Sequence, residues 1–210
     1  MCLSVTTTRK NLEKKMKKQF FVALVITWLS CSAHAVLIVD TGPGPGGTAG
    51  GASLFSSQFI AGEFTTTQDW NINSVEGWIS LNNIGDTATA TIYSDSGGLP
   101  GSALFSSAFS SIGDRNAVWD GASGLNWLLS TGTYWLAFEV LAGQTMDAAM
   151  PGPPTTPLSR YAVGSSNGYR LFNTHVGMRI DASSPVPAPA TLALFGLGLA
   201  SLGWARRKRV

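Results

Sequence analysis

The chain has 210 residues, 44% of them hydrophobic and 12% charged, with 24 glycines and 10 prolines, which leaves room for one ordinary domain plus targeting segments. Its formal charge of +2 hides a split: six basic residues against Glu13 alone precede residue 35, four more close the chain, and the middle holds four arginines against eleven carboxylates, near −7. An acidic body between basic ends argues against a nucleic-acid binder, which would cluster Lys and Arg on its folded part, and directs attention to membrane traffic.

In chain order, the first element is an export signal. Met16-Lys17-Lys18 leads into the apolar run 20–29, and small residues follow at Ala33 and Ala35. A basic stretch, a hydrophobic stretch too short to span comfortably and an A-x-A arrangement predict a signal helix cleaved after Ala35 by the Sec export route. Because the stretch before Met16 is polar and basic, translation is expected to start at Met16, so residues 1–35 comprise an extension plus signal peptide. Trp28 stands where a lipoprotein box wants a small aliphatic residue before Cys31, which argues against lipidation. Both cysteines, Cys2 and Cys31, fall in this segment. The mature body must then be held by its own core without disulfides, and a stretch of residues 36–185 is long enough to supply one.

The body, 36–185, opens on a Gly/Pro-rich stretch at 41–51 that has little to bury and reads as a mobile loop. Beyond it the pattern alternates. In residues 87–93, Ala88, Ala90 and Ile92 share one face while the threonines and Tyr93 share the other; in 133–141, Tyr134, Leu136, Phe138 and Val140 align at period two. Both read as antiparallel strands with one buried face. Turn signals at Asn82-Asn83, residues 97–101 and Gly132 recur too often for helices between strands. The expected fold is therefore all-β: a single antiparallel β-sandwich, jelly-roll-like. The echo between Leu54-Phe55-Ser56-Ser57 and Leu104-Phe105-Ser106-Ser107 is too short to indicate duplication.

Candidate chemistry is sparse. Asp95-Ser96-Gly97-Gly98 resembles the nucleophile context of trypsin-like proteases, but a serine nucleophile needs a histidine base, and the body's one histidine, His175, comes after it rather than before. A glycine hairpin turn with Asp95 bonding its amides is the better reading, and no enzyme activity is expected. The aspartates show no Asp-x-Asp-x-Asp loop spacing, so neither a metal site nor a cofactor is indicated. His175 reads as a surface or hydrogen-bonded residue rather than a ligand. Strand parity supplies the candidate binding surface. With Val75, Ile79 and Leu81 inward, Trp78 and Glu76 face the other way, and Trp135 shares a face with Glu139, opposite Tyr134, Leu136 and Phe138. Tryptophan faces stack on sugar rings while carboxylates accept hydroxyl protons, so Trp78, Trp135, Glu76 and Glu139 are candidate glycan contacts. Packing is the competing use for such residues, and for Trp70, Trp119 and Trp127.

The last element is a tail, residues 186–210. Val186-Pro187-Ala188-Pro189-Ala190-Thr191 introduces an apolar run that ends at Arg206-Arg207-Lys208-Arg209. From Thr191 to Ala205 a helix would measure roughly 22 Å at about 1.5 Å per residue, short of the ~30 Å hydrocarbon core. Its basic end should stay cytoplasmic and leave the body outside. Gly196, Gly198 and Gly203 suit close contact with another membrane helix.

This tail closely resembles the PEP-CTERM sorting signal of Gram-negative bacteria, in which a proline motif, a transmembrane helix and a basic stop are recognised by an exosortase. Ala188 stands where the family's name puts Glu. The resemblance implies an exported surface or extracellular-matrix protein, passing transiently through the inner membrane and associated with exopolysaccharide and biofilm; a plain membrane anchor is the alternative. Residues 65–78, 93–101 and 132–135 also resemble the exported β-domains known as choice-of-anchor domains, which carry no established chemistry. A carbohydrate-binding module using the aromatic face remains a second reading of the body.

Overall fold

The computed structural model describes residues 35–45, 51–81, 83–113, 115–153 and 158–184. Among them the chain runs through β1 (Ala35–Asp40), β2 (Ala52–Leu54), β3 (Phe59–Thr66), β4 (Trp70–Leu81), β5 (Thr87–Asp95), β6 (Pro100–Ser110), β7 (Val118–Leu129), β8 (Gly132–Glu139), β9 (Ala148–Met150), β10 (Tyr161–Ser165), β11 (Gly168–Phe172) and β12 (Met178–Ser183). Every ladder is antiparallel, and no described helix is long and apolar enough to cross a membrane. The expected signal helix and C-terminal helix lie outside the described residues.

The first sheet has the order β1-β12-β4-β9-β2, with β7 on the other side of β4; the second has the order β11-β10-β3-β8-β5-β6. β4 is long enough to serve three neighbours: β12 and then β9 along one edge, β7 along the other. One apolar core draws on both sheets. Ile72, Val75, Ile79 and Ile180 come from the first, and Ile60, Ile92, Leu136 and Phe138 from the second. Each such side chain, almost wholly removed from water, stabilises the fold by roughly 1.5–3 kcal/mol before entropy is counted. At the β6 and β7 edges Phe105 and Trp127 stack with centroids 5.5 Å apart, joining one sheet to the other.

The predicted parity holds: Ala88, Ala90 and Ile92 point into the core. The expectation of one buried face does not. Thr89, Thr91, Trp135, Ala137 and Glu139 on the outer side of β5 and β8 are buried as well. Those strands occupy the middle of their sheet, and a second small cluster of Ala61, Trp135, Ala137 and Ala162 is covered by Tyr93, Leu99 and Tyr169. Tyr169 reaches this cluster over Gly164, its register partner, where any Cβ would strike the tyrosine ring.

The loop expected at 41–51 is tied down where it is described. Thr41 is buried, and its hydroxyl accepts the Met178 amide at 2.8 Å. Ala35 pairs with Ser183, so the two ends of the folded body are neighbours at one end of the first sheet.

Candidate functional site

The four predicted glycan contacts do not share a surface. Glu76 and Trp78 lie on the outer face of the first sheet; Trp135 and Glu139 lie on the outer face of the second. The two faces are built differently.

On the second sheet Trp135 is 0% exposed and Glu139 3%. A buried carboxylate needs donors to replace water, and Glu139 has three. Its Oε2 accepts from the Thr91 hydroxyl at 2.9 Å, and its Oε1 accepts from the Tyr93 and Tyr169 hydroxyls at 2.8 and 2.5 Å. The two tyrosine rings meet edge to face, centroids 5.7 Å apart. Burial, reinforced by the Glu139 charge, pushes both phenols above the ordinary tyrosine range. The protonated phenol is the form that can donate to a carboxylate, so the network is self-consistent. The Trp135 indole donates to Asp95 Oδ1 at 2.9 Å, and the same aspartate accepts the Gly98 amide. Asp95 thereby holds the glycine turn of the Asp-Ser-Gly-Gly stretch, in which Gly97 and Gly98 take φ of 65° and 83°, values open chiefly to glycine. At the rim Arg160 sits 3.7 Å from the buried Glu63. The side chains of Tyr93, of Leu99 in the β5–β6 turn and of Tyr169 on β11 cover this face, and its polar groups are turned on one another.

On the first sheet the same residue types stay half-exposed. Trp78 and Trp119 are register partners whose rings meet edge to face at 5.3 Å. The Trp78 indole donates to the Pro45 carbonyl at 3.3 Å. Arg179, opposite Glu76 on β12, pairs with that carboxylate and lays its guanidinium 4.6 Å from the Trp119 ring centre, a cation–π contact. Beside Trp119 a cleft of about 350 Å³ opens between β6 and β7. Asp120, 3% exposed at its floor, accepts the Ser111 hydroxyl at 2.6 Å and the Ile112 amide at 3.0 Å through Oδ2. Alternation along β7 could have marked Trp119, Gly121 and Ser123 as one face; that Arg179 would be their neighbour required the β12–β4–β7 register, which the sequence pattern does not contain.

Of the remaining expectations, His175 packs its ring 5.6 Å from Tyr161. No group of three or more His, Cys, Asp and Glu side chains converges among the described residues. Ala35 is the first residue of β1, whereas Ala33, the sorting residues Val186, Pro187, Ala188, Pro189, Ala190 and Thr191, and the basic stop Arg206, Arg207, Lys208 and Arg209 lie outside the described residues.

No curated protein matches the chain. Residues 185–209 match the PEP-CTERM protein-sorting motif. That match begins at the residue after the last described one. The chain therefore carries a PEP-CTERM sorting domain at residues 185–209, the mark of an exported protein addressed at the membrane to an exosortase-type sorting enzyme.

Proposed function

We infer that this is a non-catalytic surface or extracellular-matrix protein: exported through Sec, held for a time in the inner membrane, then processed by an exosortase and deployed within an exopolysaccharide matrix. The match over residues 185–209 carries the reading. The placement of the body's two ends supports it, because Ala35 and Ser183 pair and both flanking segments are joined to the body at one end. A folded domain can then be presented to one membrane surface while each segment is cut. The polar groups best placed for acid–base work, Glu139 and its tyrosines, are consumed by hydrogen bonds within a closed layer, which favours a binding or structural role over catalysis.

The test is the intact mass of the mature protein from a host with an exosortase and from the same host lacking it. Loss of the chain from about residue 187 onward only when the enzyme is present is the expected result. A mass that still includes Arg206–Val210 in both hosts overturns processing and leaves a plain anchor, with Ala188 in the position of Glu as the first residue to revert.

A further inference from the structure

The outward side chains of the first sheet form one polar strip. Asn71 bonds Asn126 at 2.7 Å, Asn73 bonds Asp181 at 3.2 Å and Ser183 at 3.3 Å, and Glu76 pairs with Arg179, so the strip crosses β7, β4 and β12. Asn71 is level with Ser183, which pairs with Ala35. Trp78 and Trp119 close the strip at the far end, about 20 Å away at ~3.3 Å per residue. There it meets the β6 edge in the cleft of about 350 Å³, whose walls include Glu76, Trp119, Ser107, Ser110 and Ser123, a volume at the small end of ligand sites.

Charge and chemistry select the occupant. Arg179, the cation beside this cleft, is already engaged by Glu76 and Trp119, so a phosphate-rich or polyanionic chain gains little here, and the body contains no lysine. Among the described residues that line the cleft, Glu76 is neutralised by the same pair and Asp120 is held by its own loop, which disfavours a cationic ligand there. What the cleft offers is an indole, the serine hydroxyls of Ser107 and Ser123 and, along the strip, planar amides that donate and accept in equal measure. The electron-rich face of an indole favours polarised C–H surface, and the hydroxyls and amides complement a ligand that is itself rich in hydroxyls.

We propose that this cleft and strip bind a neutral saccharide chain, with Trp119 as the stacking residue and Glu76, Ser107 and Ser123 as hydroxyl partners. The proposal deepens the carbohydrate-binding reading of the body, on which it rests, and puts the site at the end of the sheet remote from Ala35 and Ser183.

Affinity electrophoresis of the full chain in detergent, through gels containing dextran, mixed-linkage β-glucan, xylan or galactomannan, tests it, with alginate as the acidic comparison. Retardation by at least one neutral polysaccharide is expected. Trp119→Ala should weaken it at least tenfold, and so should Ser123→Trp, which fills the cleft from an exposed position and keeps the fold intact should Trp119→Ala lose it. Tyr169→Phe, on the opposite sheet, should leave retardation unchanged. Absence of retardation in every gel overturns both the site and the carbohydrate-binding reading. Retardation that survives Ser123→Trp overturns the site alone. Retardation confined to alginate and abolished by salt overturns the neutral class of ligand.

Discussion

The two outer faces of this sandwich use the same residue types to opposite ends. Trp135 and Glu139 sit on a central strand of their sheet, beneath the side chains of Tyr93, Leu99 and Tyr169, and are removed from water; Trp78 and Glu76 sit on a face crossed by side-chain bonds, where Trp78 reaches the Pro45 carbonyl and both stay partly exposed. A tryptophan beside a glutamate is thus not a signature of either packing or binding. What decides is whether another part of the chain folds over the pair, and here small residues invite it: Ala61, Ala137, Ala162 and Gly164 leave room for Tyr169 to lie flat and reach Glu139.

Truncating the two tryptophans should break this symmetry of composition most visibly. Trp135→Ala opens a cavity beneath the roof and removes the partner of Asp95, and should cost about 3–5 kcal/mol. Trp78→Ala, half-exposed, should cost on the order of 1 kcal/mol. Urea titrations of both variants compare them directly; equal losses would mean that the two faces are equally closed.

Next in size is the carboxylate. Glu139→Ala leaves the Thr91, Tyr93 and Tyr169 hydroxyls without their acceptor in a dry layer, and a loss of about 3 kcal/mol follows from penalties of roughly 1–3 kcal/mol per unsatisfied group, part of which relaxation recovers. Glu139→Gln keeps one acceptor oxygen and should lose about half as much, because a hydroxyl can rotate to accept from the new amide. Thermal melts rank the two; a Gln variant as unstable as the Ala variant would show that the negative charge, not the hydrogen-bonding capacity, holds the hairpin down.

How far the sequence revealed this arrangement follows from the range of the forces involved. Alternation is local, so the strands at 87–93 and 133–141, the inward set Ala88, Ala90 and Ile92 and the assignment of Trp135 with Glu139 to one face could be read from period two. The glycine turn held by Asp95 could be read as well, because turn chemistry acts over four residues. The Tyr169–Glu139 bond spans 30 residues and the Arg179–Glu76 pair spans 103; both depend on strand order and register. The repeated Leu-Phe-Ser-Ser string shows the limit most plainly. At residues 54–57 it bends into a tight turn, with Phe55 and Gln58 exchanging backbone bonds of 2.8 and 3.1 Å, whereas at 104–107 the same letters stay extended within β6 against β5, with a register shift at Leu104. Four identical residues took their conformation from their neighbours in space.

A smaller and strictly conditional effect sharpens the comparison through pH. Both tyrosines of the roofed face titrate above their ordinary value when folded, chiefly through burial and then through the Glu139 charge. Groups with a raised folded pKa contribute stability in full below the unfolded value, about 10 for tyrosine, and lose it as pH climbs through the folded one. Stability should therefore fall above pH 10 more steeply in the wild type than in a Tyr93→Phe, Tyr169→Phe double variant, while both curves stay parallel between pH 7 and 9. Denaturant midpoints across pH 7–11 measure this, and equal slopes above pH 10 would remove the tyrosines from the energetics of this face.

The smallest expected effect belongs to the open face, and it bears on what that face is for. Glu76 and Arg179 form an ion pair with side chains 23% and 29% exposed, in a setting where such pairs contribute roughly 0–1 kcal/mol. Glu76→Gln keeps the shape and an acceptor oxygen for Arg179, and should lower stability by no more than about 0.5 kcal/mol. A urea midpoint within that range would mean that the pair contributes little to holding the sheet, so that its position beside Trp119 and the cleft is open to use by a ligand. A loss near 3 kcal/mol would instead make Glu76 the counterpart of Glu139, a carboxylate the fold depends on, and the two faces would differ in their covering but not in their energetics.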